Sequence, residues 1–462
     1  MPGQSTRYPD LDVRVADQVD RIKSEFLSQR GITIDYVARN GGVAYMYAAG
    51  QILVRDRYLQ PVYEIFNRSP SVDLNQVTRV APGVSLITQP PPGKRSKVRY
   101  PTVTNALEII DREQGAGIAT PNHVVTVAPA GPCPATEPAE VDYGIEPFPS
   151  VCVENGGAGI LVYVADTGLL QDFEVDHPWL TGVRRALKAD GSEQDPDPAG
   201  IVLDGTTTIP PYAGHGTFVA GVVRCMAPEA DIIVSNIFQV AGSVLEADLA
   251  TELCQVLALG VDIFHLSIST TTRHDLTSLG FDGFRELLHQ YNGVVCVVAA
   301  GNQGDRIPSW PAAYPEMVSV GALGGDWRGR ARFSNYGGWV DVYAPGRDLV
   351  NAFATGPYTC DDYPYTGVVR HFYGMARWSG TSFSTPIVTG LVASRMSHTG
   401  ENGLEAAAAL LAQARSQAIP GVGPILLPCG YDACRPSRRG GCGCGRAAER
   451  PGCGCGPAGS IA

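Results

Sequence analysis

The spacing of apolar residues along the chain changes near Gly159. Ahead of that point the pattern is mixed. Val15, Val19, Ile22 and Phe26 recur at helical spacing, and Gly31 marks where that helix should stop. Residues 32–37 alternate as a strand does, with a turn at Gly41-Gly42. Further strands are expected at 51–54, 84–87 and 123–127, and helices at about 60–67 and 105–111. The first 145 residues or so therefore read as a small α+β unit. Beyond Gly159, short and continuously apolar runs at 160–165, 232–234, 262–266 and 294–298 replace the alternation. Helical segments at about 216–223, 245–259 and 283–291 separate them. Runs that are apolar on both faces suit buried parallel strands. Their alternation with helices predicts an α/β fold, a parallel sheet with helices on both faces. Such sheets bind ligands at the carboxyl ends of their strands.

Length adds a domain count. A chain of 462 residues suits two domains and a tail, here 1–145, 146–428 and 429–462. The stretch from Pro129 to Pro149, rich in proline, reads as the linker. A net charge of −11 argues against a general nucleic-acid or anionic-membrane binder. The longest apolar runs, such as 294–300, are too short to span a bilayer, and the first thirty residues lack a signal-peptide core. A cytoplasmic protein is expected. Cys133, Cys152, Cys225, Cys254, Cys296 and Cys360 are scattered singly, as buried free thiols would be. Cys429, Cys434, Cys442, Cys444, Cys453 and Cys455 fall in a glycine-rich tail that reads first as low complexity, with soft-metal binding as the other reading.

Candidate chemistry sits at element edges. Asp166-Thr167-Gly168 follows a buried strand, where an Asx-turn is the plain explanation. Gly214-His215-Gly216-Thr217 opens a helix of small residues, and glycines on both sides allow close approach of other backbone. Ser379-Gly380-Thr381-Ser382 is a turn running into an apolar helix expected at 387–394. A serine at a helix mouth has a free backbone N–H beside its hydroxyl. Ala300-Gly301-Asn302 follows another buried strand and reads on its own as a turn. Taken together, a carboxylate, an imidazole and a hydroxyl at the edges of one sheet supply a nucleophilic relay. The hydroxyl is too weak an acid to attack unaided, and an imidazole oriented by a carboxylate can take its proton.

Asp166-Thr167-Gly168, Gly214-His215-Gly216-Thr217, Ala300-Gly301-Asn302 and Gly380-Thr381-Ser382-Phe383-Ser384-Thr385-Pro386 resemble, in that order, the motifs of the subtilisin family of serine peptidases. The resemblance covers about 155–428. It implies a subtilisin-like fold and an endopeptidase with Asp166, His215 and Ser382 as triad and Asn302 as oxyanion donor. The partner it implies is a peptide or protein substrate; no cofactor is expected, and no metal, because no stretch has the ligand spacing of a calcium loop. It also implies that Ser267-Ile268-Ser269 is the strand beside the substrate, with Ser269 where glycine is usual. Pro308-Ser309-Trp310-Pro311 resembles the floor of the pocket for the side chain before the scissile bond, and Ser309 and Ser269 together speak against bulky residues there. The N-terminal unit stands where relatives carry an inhibitory propeptide. Cleavage somewhere in 127–150 and permanent retention are both open. The acidic insert at 186–212, with Asp190, Glu193, Asp195, Asp197 and Asp204, reads as a solvated loop, with calcium as the other reading. The tyrosine-rich insertion at 356–375 reads as a surface hairpin or as a border of the cleft. A non-catalytic peptide-binding or regulatory protein on the same fold is the alternative function. An α/β-hydrolase esterase is disfavoured, because Ser384 stands where Gly-x-Ser-x-Gly needs its last glycine.

Overall fold

The computed structural model describes residues 8–90, 100–127, 135–150, 156–197, 201–203, 206–361 and 364–428. Helix α1 (Val13–Arg30) buries Val19, Ile22 and Phe26 and ends where Gly31 turns left-handed at φ 65°. Strands β1 (Ile34–Arg39), β2 (Gly42–Arg55), β3 (Val77–Ala81), β4 (Val84–Thr88) and β5 (Ala119–Thr126) form an antiparallel sheet, with α2 (Leu59–Asn67) and α3 (Val103–Glu113) packed on it. β2 absorbs the strand expected at 51–54 into one of fourteen residues.

Beyond residue 159 come β6 (Leu161–Asp166), α4 (Phe173–Asp176), β7 (Arg184–Arg185), the ribbon β8 (Ile201–Leu203) and β9 (Thr206–Thr208), and α5 (His215–Met226). Then follow β10 (Asp231–Asn236), β11 (Ser243–Leu245), α6 (Glu246–Val256), β12 (Ile263–Leu266), α7 (Leu279–Leu288), β13 (Val295–Ala299), β14 (Val318–Leu323) and β15 (Val342–Pro345). The hairpin β16 (Leu349–Thr359) and β17 (Val369–Trp378) precedes α8 (Thr381–Thr399) and α9 (Gly403–Ser416). Seven parallel strands lie in the order β15-β14-β13-β12-β6-β10-β7. Successive strand residues face opposite layers. Val162 and Val164 pack with α5, α8 and α9, while Tyr163 and Ala165 pack with α6 and α7. The expected parallel sheet with helices on both faces is present, and the order reverses beside β6, where β10 and β12 flank it.

The N-terminal sheet lies over α6 and α7, where Leu53, Val80, Ala81 and Val84 meet Ala247, Ala250 and Leu279. β11 joins that sheet as its edge strand against β5.

Several expectations need correction. The linker-like stretch is not loose in its described part. Residues 135–150 run along the β16–β17 hairpin, with Ala139 bridged to Arg377 and Phe148 to Val350. α8 starts six residues before the helix expected at 387–394, so Ser382 lies inside its first turn rather than ahead of it. The insertion at 356–375 is the outer part of the β16–β17 hairpin. As expected, Cys225, Cys296 and Cys360 are buried free thiols, while Cys254 is free and half-buried. Cys133, Cys152, Asp204 and the cysteine-rich tail lie outside the described residues. No helix among the described residues is long and apolar enough to cross a membrane.

Candidate active site

Asp166 ends β6, and His215 is the first residue of α5. Both side chains are fully buried. His215 Nδ1–H donates to Asp166 Oδ1 at 2.6 Å, and the same oxygen accepts the Thr167 N–H at 2.8 Å. The Nδ1 proton leaves Nε2 as the basic nitrogen, and Nε2 has no hydrogen-bond partner among the described residues. The ring is wedged between Trp378 at 5.6 Å and Phe383 at 5.4 Å. Gly216 makes the approach of the two motifs possible. A Cβ there would lie 2.3 Å from the Gly168 carbonyl oxygen, so only glycine lets α5 start against the turn after β6.

Ser382 is the second residue of α8, and first-turn amides have no intrahelical acceptor. Its neighbour Phe383 carries the contact to the His215 ring. Asn302 is fixed from the other side. Its Oδ1 accepts Thr381 N–H at 2.9 Å and Thr381 Oγ–H at 3.0 Å. With Oδ1 so occupied, the Nδ2 hydrogens are the free end of the amide, next to the residue that precedes Ser382. The four motifs therefore converge.

Two contributors were not singled out in the sequence. His265, buried on β12, accepts from Thr389 Oγ at Nδ1 (2.8 Å) and donates from Nε2 to Ser267 Oγ (2.8 Å). Ser267 Oγ–H donates on to the Ser382 carbonyl at 2.9 Å. Burial, and then the charge of His215, lower the His265 pKa to about 3, so the ring stays neutral, and the use of the Ser267 hydroxyl hydrogen on the Ser382 carbonyl puts the ring proton on Nε2. The second is Asp197. The insert expected to be solvated turns inward here, and Asp197 is only 3% exposed. Its Oδ2 accepts Thr167 Oγ–H at 2.8 Å and Gly214 N–H at 2.7 Å, which ties the Asp166 turn to the start of α5. Desolvation pushes its pKa up to about 8.

The expected substrate strand is placed as follows. Ser267 turns its hydroxyl to α8, and Ile268 buries its side chain in the core, so each offers only backbone to a ligand. Ser269 Oγ is hydrogen-bonded to Ser309 Oγ, and both residues are buried. The Ser269 backbone is already engaged, because its N–H donates to the Thr126 carbonyl at 3.1 Å and its carbonyl accepts the Thr126 N–H at 3.3 Å. On the other side of that segment, β5 pairs with β11, and Val127 N–H donates to the Gly242 carbonyl at 3.1 Å. The end of β5 thus lies as an added strand between two edges of the later chain. Three residues ahead of Ser382, the Ser379 carbonyl accepts the Ala135 N–H at 3.2 Å. The chain's own residues border the serine on both sides.

A model of the Subtilase family matches residues 157–422. A thermophilic serine proteinase of Bacillus sp. (strain AK1) is 30% identical over 268 residues, which cover 55% of this chain and 56% of that protein. An intracellular serine protease of Paenibacillus polymyxa is 30% identical over 272 residues, covering 55% of this chain and 72% of the relative. The match thus spans little more than half the length of the first of these relatives. The crystal structure of fervidolysin from Fervidobacterium pennivorans, a keratinolytic enzyme related to subtilisin, shares the fold with a TM-score of 0.54 at 21% identity, over 85% of this chain and 61% of that one.

Proposed function

The chain belongs to the subtilase family, and from that premise we propose that it is a serine endopeptidase acting on peptide or protein substrates through an acyl-enzyme. Ser382 Oγ attacks the scissile carbonyl, and His215 Nε2 takes its proton and hands it to the leaving amine. Asp166 keeps the ring in the tautomer with hydrogen on Nδ1 and stabilises the imidazolium. Asn302 Nδ2 and the Ser382 N–H face the oxyanion, at the positive end of α8. Water, activated by His215, then releases the acyl group from Ser382. The observation that carries this reading is the buried Asp166–His215 hydrogen bond with Nε2 left unpartnered.

Residues 1–145 act in this reading as an intramolecular inhibitor of the 146–428 peptidase unit. The support is the position of Val124, Val125, Thr126 and Val127 along Ser269 and Gly242. A cytoplasmic site of action is supported by the intracellular relative.

The test is covalent labelling. The full chain, and the chain carrying Thr126→Pro to remove the N–H given to Ser269, should both react with a fluorophosphonate at Ser382, the second faster. Ser382→Ala should abolish labelling and peptide hydrolysis. A folded Thr126→Pro protein that never labels would leave the non-catalytic, peptide-binding alternative in possession.

A further inference from the structure

We propose that the subsite for the residue on the acyl side of the scissile bond admits only the smallest side chains, glycine, alanine or serine, and that Ser269 and Ser309 set that limit. The proposal rests on the peptidase reading above and deepens it. The chain's own strand gives the register. Thr126 pairs antiparallel with Ser269, so a peptide in that register places its residue two positions further on opposite Ser267. Ser267 Oγ touches the Ser382 backbone carbonyl, so the residue opposite Ser267 lies beside the residue that carries the nucleophile. Ser269 Oγ faces both Gly301 and Ser309, and the gap between them is where the side chain of that residue would sit.

That gap is narrow. A Cβ built on Gly301 would lie 3.0 Å from Ser269 Oγ, 2.9 Å from Gln303 Oε1 and 2.6 Å from Asn335 Nδ2. Behind it, Thr270 and Trp310 exchange both backbone hydrogen bonds, at 3.0 and 2.9 Å, and so close the bottom. The Ser269 and Ser309 hydroxyls satisfy one another across this floor, at 2% and 0% exposure. An aromatic ring pushed between them would separate the hydroxyls and leave both buried without a partner, which disfavours it beyond the steric clash. A cavity of about 370 Å³ does open beside Ser269 and Gln303, with Val19, Met46, Thr126 and Ile307 also in its lining, but Gly301 and Ser309 do not line it.

The test uses the full chain with Thr126→Pro and a pair of chromogenic tetrapeptides that differ only in their last residue, alanine or phenylalanine. Alanine should exceed phenylalanine in kcat/KM by about tenfold or more. Adding Ser269→Gly should cut that preference at least about tenfold, and Ser269→Ala, which removes the Oγ facing Gly301 and Ser309 but keeps the Cβ, should cut it by less. Ser309→Gly should relax the preference in the same direction as Ser269→Gly. Equal or better cleavage after phenylalanine by the protein with Ser269 intact would overturn the pocket while leaving the peptidase reading standing. Failure of the same sample to label with fluorophosphonate would overturn both.

Discussion

Two buried ionisable groups beside the proposed triad, Asp197 and His265, have pKa values shifted in opposite directions. Asp197 is neutral at pH 7, its pKa pushed to about 8, and both of its donors go to Oδ2, so the proton belongs on Oδ1. A neutral acid can hold the Asp166 turn against α5 without adding a second negative charge beside Asp166. Its folded pKa is raised, so between about pH 4 and 8 the fold keeps a proton that the unfolded chain has released. Its contribution to stability is therefore full below pH 4 and is lost as pH rises through 8. Asparagine can accept the same two hydrogen bonds at one oxygen. Asp197→Asn should keep kcat/KM within about threefold and flatten urea stability between pH 4 and 8, whereas Asp197→Ala leaves Thr167 Oγ and Gly214 N–H unpaired and should lose about 1–3 kcal/mol. Equal pH slopes for wild type and Asp197→Asn would refute the assignment. Asn302→Ala should lower kcat by about 10²- to 10³-fold, the cost measured for one oxyanion donor in subtilisin, a member of the same family.

His265 joins two elements, β12 and α8, through Ser267. Its pKa is lowered to about 3, so the sign reverses. Above about pH 6.5 its contribution is complete, and it is lost as pH falls towards 3, because the unfolded chain gains a proton the fold refuses. His265→Gln, which retains a donor for Ser267, should make melting temperature less sensitive to acid across that window, and calorimetry at pH 4 and 7 would show it. At this scale the sequence was informative about strands and helices, because burial on both faces leaves uninterrupted apolar runs such as 160–165. It was also informative about the four motifs, which are contiguous. It was silent on what lies across a gap. The polar residues around Asp197 look like a solvated loop until β6 and α5 close over them. β11 is three residues long, too short to show a period. The resemblance marks Ser267 for a substrate strand, and the sequence does not say that its hydroxyl is already taken by His265 and the Ser382 carbonyl, which leaves only its backbone for a ligand.

The whole molecule raises the question of whether the N-terminal unit leaves once the chain is cut. Its contacts with the later chain are of two kinds. Arg21–Asp361, Arg30–Asp248 and Arg55–Asp282 are partly exposed ion pairs, each worth roughly 0–1 kcal/mol and screened by salt. The second kind is dry. Leu53, Val80, Ala81 and Val84 pack on α6 and α7, and His123 Nδ1–H donates at 2.6 Å to Glu246, with both side chains fully buried. The Arg273 N–H donates to His123 Nε2 at 3.3 Å, and the Gly280 N–H to Glu246 at 2.7 Å, so withdrawing the unit would leave the buried Glu246 carboxylate without the His123 donor and the Arg273 N–H without an acceptor. Downstream of the cleft the chain is held just as firmly. Glu137 is buried and accepts Tyr358 O–H at 3.0 Å, while Trp378 Nε1–H donates to the Thr136 carbonyl at 2.6 Å. A cut between Val127 and Ala135 therefore frees neither side of the cleft. With a specific protease site inserted after Gly131 and then cleaved, the two fragments should co-elute on gel filtration at 0.15 M and at 1 M NaCl, with peptide hydrolysis still low. Adding His123→Ala to the nicked protein should let the N-terminal fragment separate and activity rise. Co-elution at 0.15 M with separation at 1 M NaCl would mean that the ion pairs alone hold the unit, and separation of the unsubstituted fragments at both salt concentrations would mean that a single cut is enough to open the site.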